Sequence, residues 1–232
     1  MRRETQHVLL LLLGGALLRI AADDTYLRYV RPSHRPLLLA AGTVIVALAV
    51  VALLHDARGA SPHAHEHSAA ERHVPWLLLA PVLVITLVAP PALGADAVSR
   101  AGSRNAVVPT SDMFIPLPPG PVPEIPVGEF VLRATAGPTG GLDGREVTLT
   151  GFTVRPGAAV ELARITIACC AADARPNRVR LAGDLDDPAP DTWLRVRGTV
   201  QPGSATAATG FVPVLTVTGF DAVAAPADPY EY

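Results

Sequence analysis

The sequence predicts two parts of different class: an α-helical membrane part of three transmembrane helices, then an all-β domain closing as a small OB-like barrel. Three observations carry this. Half of the 232 residues are hydrophobic and the mean hydropathy is +0.34, high for one water-soluble domain and low for a polytopic transporter. The long apolar runs all lie within residues 1–94. After residue 126 the pattern changes to short runs of period two, bounded by Gly, Pro and Asp, as half-buried strands require.

The first apolar run, 7–22, follows a basic start with Arg2 and Arg3. It resembles a signal peptide but has no clear small-residue cleavage site and is followed by further apolar runs, so it reads as a retained helix. The second run, 36–54, enters through Pro36, and the third, 76–94, begins at Trp76 and contains Pro81. Each approaches the ~20 residues needed to cross the hydrocarbon of a bilayer. Arg19, near the end of the first run, can snorkel to the interface or face a partner or conduction path. Three crossings put the termini on opposite sides. Loop arginine counts slightly favour one orientation; the basic N-terminus favours the other, and its weight gives an extracytoplasmic C-terminal domain.

The loop 55–75 carries His63, His65 and His67 in alternation, flanked by His55 and His73. In extended chain the three imidazoles share one side, where a divalent metal such as Zn²⁺ can collect them, although the Ala/Ser/Pro-rich context equally suits a solvated loop. Residues 95–126 read as a linker ending in "FIPLPPGPVPEIP", whose six prolines favour an extended spacer.

The soluble part, 127–232, contains the strand-like runs "GEFVLRA", "REVTLTGFTV", "ELARITIAC", "RVRLAG", "TWLRVRGTV" and "PVLTVTGFDAV". Five or six strands in this length fit a small barrel better than a sandwich. Gly151, Gly198 and Gly219 fall where such a barrel must bend. Nine arginines against fourteen acids make residues 106–232 acidic, whereas residues 1–105 carry ten arginines against seven acids. An acidic barrel excludes nucleic acid, whose phosphates need clustered positive charge. All nineteen basic residues are arginine; the absence of lysine reads as base composition rather than mechanism.

The only cysteines, Cys169 and Cys170, are adjacent at the end of a strand-like run, with Asp173 three positions on. Successive strand side chains point to opposite faces, so the two thiols reach one ligand only if the strand ends there, and "AADARP" suggests that it does. Three readings stand. One cysteine is buried and the other sits at a strand terminus; or the thiols and Asp173 ligate a soft metal such as Zn²⁺; or the pair forms a strained vicinal disulfide. The soluble part has no histidine, and the chain no lysine, so neither a nucleophile–His pair nor a phosphate-cradling loop can be built there. The reading is not an enzyme.

The strings "YVRP" (29–32), "APPALGADAVSRAGSRN" (89–105), "DMFIPL" (112–117), "LARITIACCAADARP" (162–176), "DTWLRVRGTV" (191–200) and "ADPYEY" (227–232) resemble bacterial permease subunits of the YcgQ-like type, nearly end to end. The resemblance implies a multi-pass protein of the bacterial plasma membrane working beside a separate polytopic permease encoded alongside it. It marks Arg164, Cys169, Cys170 and Asp173 as site candidates, and Trp193, Pro229, Tyr230 and Tyr232 as motif or partner-contact residues. The leading expectation is an accessory subunit of a two-component permease. The alternatives are a Zn²⁺-type metal-handling membrane protein using the His-rich loop and the Cys-Cys-Asp group, and a thiol-redox component of the envelope.

Overall fold

The computed structural model describes residues 3–58, 90–102, 104–105 and 114–232. The loop histidines His63, His65 and His67 and most of the run 76–94 lie outside the described residues. The chain forms two compact units, Met1–Pro91 and Ala92–Tyr232.

In the first unit, α1 (Arg3–Ala22) and α2 (Arg35–Arg58) pack as an antiparallel hairpin. Of the three expected transmembrane helices, the third falls mostly outside the described residues. One helix, α2, is long and apolar enough to cross a membrane, and the apolar part of α1, Gln6–Ala22, is shorter. The hairpin closes along two rows with a spacing of seven residues. His7, Gly14 and Ala21 are buried on α1, and Gly42 and Ala49 are buried on α2, one heptad before Asp56. Small residues let the two backbones approach closely: a Cβ added at Gly14 would stand 2.7 Å from Val46 and 3.0 Å from the Gly42 carbonyl. His7 Nε2 and Asp56 lie 3.9 Å apart at one end of the seam. Most other α2 side chains are exposed, Leu37 to 64 % and Leu48 to 61 %.

The second unit is built on a five-stranded barrel: β1 (Glu146–Val154), β2 (Glu161–Thr166), β3 (Arg175–Ala182), β4 (Trp193–Val200) and β5 (Val214–Ala222). Hydrogen bonding runs β1-β4-β5-β3-β2, and β2 returns to β1 to close the ring. Strand β1 serves both sides of the closure. Glu146 to Phe152 pair with β4, while Phe152 to Val154 pair with β2. Gly151 sits at that changeover, where a Cβ would stand 2.6 Å from the Ala163 carbonyl. Gly198 marks a register shift between β4 and β5. Both are close-approach positions of a sharply coiled sheet. Strands β3 and β5 pair parallel, and a short β6 (Tyr230–Glu231) adds parallel to β2.

Leu149, Leu162, Val179, Leu194, Val196 and Leu215 fill the barrel interior. One end is covered by α4 (Val127–Thr135), which places Val127, Phe130 and Val131 in that core. This corrects the strand reading of "GEFVLRA". Val127, Phe130, Val131 and Ala134 follow the i, i+3, i+4, i+7 spacing of a helical stripe, and an acidic Glu129 occupies the first turn. The linker reading 95–126 also changes. Within it, α3 (Ala95–Arg100) buries Val98 against Phe152, Ile165 and Tyr230, and Ile125 is buried beside a parallel bridge from Glu124 to Thr148.

Candidate functional site

The two thiols come together because β2 stops. Its last paired residue is Thr166, set against Arg175 and Glu231; Ile165 before it is buried, as is Ile167 after it, whose N–H donates to the Glu231 carbonyl at 3.1 Å. The chain then reverses through residues 168–173 into a single 3₁₀ turn, Ala171–Asp173. Asp173 builds this reversal. Its carboxylate accepts the backbone N–H groups of Ala168 at 2.7 Å, Cys169 at 2.8 Å and Cys170 at 3.3 Å. Three donors on one short loop cancel the alternation of a strand. Cys169, exposed, and Cys170, half-buried, therefore stand with their Sγ atoms 3.6 Å apart, both as free thiols.

The electrostatics follow from that carboxylate. The Cys169 thiol donates to Asp173 and, together with its contact to Cys170, is pushed up to about 12, so it stays protonated at neutral pH. Asp173 moves the opposite way, to about 2, through the Cys169 hydrogen bond and the backbone N–H groups. Its contribution to the folded turn is complete above the ordinary carboxylate value of 3.8 and is lost as pH falls through about 2. A neutral thiol is a poor nucleophile in disulfide exchange, which weighs against rapid redox cycling. Site-resolved alkylation of the reduced chain with iodoacetamide is expected to leave Cys169 slow at pH 8, its rate still climbing above pH 9. Asp173→Asn should raise the pH 8 rate at least about tenfold, since more thiolate outweighs its lower intrinsic nucleophilicity. A rate already level by pH 9 in the parent counts against this electrostatic picture.

Behind the turn lies a buried charged group. The Arg164 guanidinium stacks 4.9 Å over the Trp193 ring, donates to the Tyr230 carbonyl at 3.0 Å and lies 3.6 Å from Glu231. Trp193 is held edge-on by Phe152 at 5.5 Å. Glu231 in turn accepts the first two N–H groups of α4, from Val127 at 2.8 Å and Gly128 at 2.9 Å. Burial lowers Arg164 and raises Glu231, each the direction that disfavours its charge. Of the motif residues, Pro229 and Tyr230 are buried; the Tyr230 hydroxyl accepts the Leu93 N–H, and Tyr232 is exposed with its hydroxyl donating to Asp228. Ile167 and Ala174, which flank the cysteine turn, pack in the same apolar cluster as Tyr230 and Trp193.

A second group escaped the sequence reading. Glu161 and Arg178, both 3 % exposed, pair at 2.7 Å. Asn105 donates to the Arg178 carbonyl and accepts its N–H, and Arg178 Nη1 reaches the Gly102 carbonyl. The available signal was complementary charge on neighbouring strands, but only the register Ala163↔Arg178 brings these two side chains together. A cleft of about 210 Å³ between Pro138, Leu142, Val200 and Pro202 has Asp143 as its one titratable side chain. It is smaller than an ordinary ligand pocket.

The barrel, the closing strand β6 and the cysteine turn all fall within one family comparison. Residues 138–232 match the DUF1980 C-terminal domain. The match fits the YcgQ-like resemblance and covers every strand of the barrel, leaving α3, α4 and the hairpin outside. Comparison with curated proteins and with solved structures finds no match. In this chain the DUF1980 C-terminal domain thus starts just ahead of β1 and ends with the strand that supplies Glu231. The match gives no specific function.

Proposed function

We propose that the chain is an accessory subunit of a two-component membrane permease, without catalytic activity of its own. The helical part anchors an OB-like barrel beside a separate polytopic permease in a bacterial plasma membrane. The observation that carries this is the outward-facing apolar surface of α2, a helix only 11 % buried over its most apolar window. So much contiguous apolar surface is costly in water and stable in lipid or against other apolar helices. Among the described residues the hairpin seam is built of glycine and alanine with Leu18, Ile45 and Val46 against them, apart from the His7–Asp56 end, and it lines no polar pathway; in this reading conduction falls to the partner. The barrel's ring closure through β1 and its parallel β3–β5 pair support the OB-like assignment. In this reading the chain crosses the membrane more than once and the barrel is extracytoplasmic.

Detergent extraction of the tagged full-length chain from its native membrane is expected to bring down one large multi-spanning protein in stoichiometric amount. Solute conduction by the purified chain alone in liposomes, or recovery with no membrane partner, would overturn the subunit reading.

A further inference from the structure

We propose that Cys169, Cys170 and Asp173 form an exchangeable binding site for a thiophilic divalent cation of the Zn²⁺/Cd²⁺ class. The two Sγ atoms and a carboxylate oxygen all lie within 4.8 Å of one another. Two sulfurs at the usual ~2.3 Å from a tetrahedral Zn²⁺ stand about 3.8 Å apart; here they are already 3.6 Å apart. A two-coordinate ion with its thiolates on opposite sides needs about 4.6 Å at the same bond length, which this pair does not offer. Hard cations such as Mg²⁺ and Ca²⁺ take oxygen ligands and gain nothing from sulfur.

The turn is organised before any ion arrives. Asp173 is fixed by three backbone N–H groups, and its remaining acceptor capacity is directed at the Cys169 thiol. A dication would take the place of the thiol proton at that point. Each cysteine releases one proton to solvent, and two thiolates with one carboxylate leave the loaded site with one net negative charge. Ile167 and the Glu231 carbonyl tie the start of the turn to the barrel, so the donors sit on a rigid rim.

The donor set also limits the site's role. Residues 95–232 contain no histidine and no other cysteine, so this rim offers three protein ligands of the preferred kinds and leaves a fourth tetrahedral position to water or to a donor from another molecule. Closed four-ligand sites are structural, whereas an open position is what ligand exchange requires. Exposure of Cys169 gives an incoming donor access. The geometry therefore suits capture and hand-over of an ion more than a structural staple.

The test uses the full chain in detergent, reduced with a phosphine and carrying His55→Ala, His63→Ala, His65→Ala, His67→Ala and His73→Ala so that the loop histidines cannot contribute. Titration with Cd²⁺ alone should develop the ultraviolet thiolate-to-cadmium charge-transfer band, saturating at one ion per chain, and Zn²⁺ should bleach it. Cys169→Ser and Cys170→Ser should each abolish two-thiolate binding. Asp173→Asn should weaken it at least about tenfold, the scale of effect seen when a metal ligand's surroundings are altered. No band in the parent with both thiols titratable, or an undiminished band in either serine variant, would discard the proposal. The parent titration does not depend on any change in the barrel, and far-UV circular dichroism checks the fold of every chain used. Because the result is independent of what co-purifies with the chain, this site and the subunit reading can fail separately.

Discussion

Glu161→Ala is expected to cost the barrel about 3–5 kcal/mol of folding stability, the range for removing one partner of a buried ion pair. The substitution leaves the Arg178 guanidinium in place, 3 % exposed and without its carboxylate. Two neutral acceptors nearby cannot replace that charge, because Asn105 serves the Arg178 backbone and Gly102 supplies one carbonyl. Arg180, 3.7 Å from the other Glu161 oxygen, is half-exposed and loses little. The pair also joins β2 to β3, and Arg178 holds Gly102 and Asn105, so its loss should loosen α3. Replacing both partners together, Glu161→Leu with Arg178→Met, is expected to recover most of the loss, since similar-volume apolar groups carry no desolvation penalty. Thermal unfolding of the full chain in detergent provides the measurement. A Glu161→Ala barrel within about 1 kcal/mol of the parent would mean that Arg178 finds water.

Glu231→Ala should cost about 2–4 kcal/mol, combining a lost helix cap with a buried arginine left without its counter-charge. The two effects separate in Glu231→Gln, which keeps an acceptor for an α4 N–H but no charge for Arg164. The pH dependence has a definite sign. Burial raises Glu231 above its ordinary 4.5 in the folded chain, so between that value and its raised folded value the native state holds more protons than the unfolded state. Stability therefore falls as pH rises through that window. Asp173 gives the opposite slope at lower pH, between about 2 and 3.8. Glu231→Gln should remove the first slope and leave the second. A parent that becomes more stable from pH 4.5 upward, with the slope unchanged in Glu231→Gln, would reverse this assignment.

Several features were legible in the sequence because their cause is local. The period-two runs from Glu146 to Ala222 became strands, and Gly151 and Gly198 stand where chains pass too close for a side chain. The end of the run before the cysteines did release both thiols to one rim. The error at 128–134 came from reading Phe130 and Leu132 as alternation, when Val127 and Pro126 complete a helix start. The proline-rich run looked like a spacer because proline favours extended chain; Ile125 shows that extended chain can also lie along a barrel edge. Glu161–Arg178 and Glu231–Arg164 were not legible, since each depends on registers or chain returns that no single segment encodes. Glu231 acts on residues more than a hundred positions earlier.

The paired glycines and alanines of the hairpin fix more than a distance. Sliding α1 along α2 so that Leu13 takes the place of Gly14 would carry a leucine into a gap where even a Cβ would stand 2.7 Å from Val46, and would part His7 from Asp56. The close approach at Gly14 and Gly42 therefore resists that slip. If the hairpin lies in a bilayer as proposed, a neighbour approaching α2 would meet Leu37, Val44, Leu48 and Val51 and would have to recognise that surface chiefly by shape.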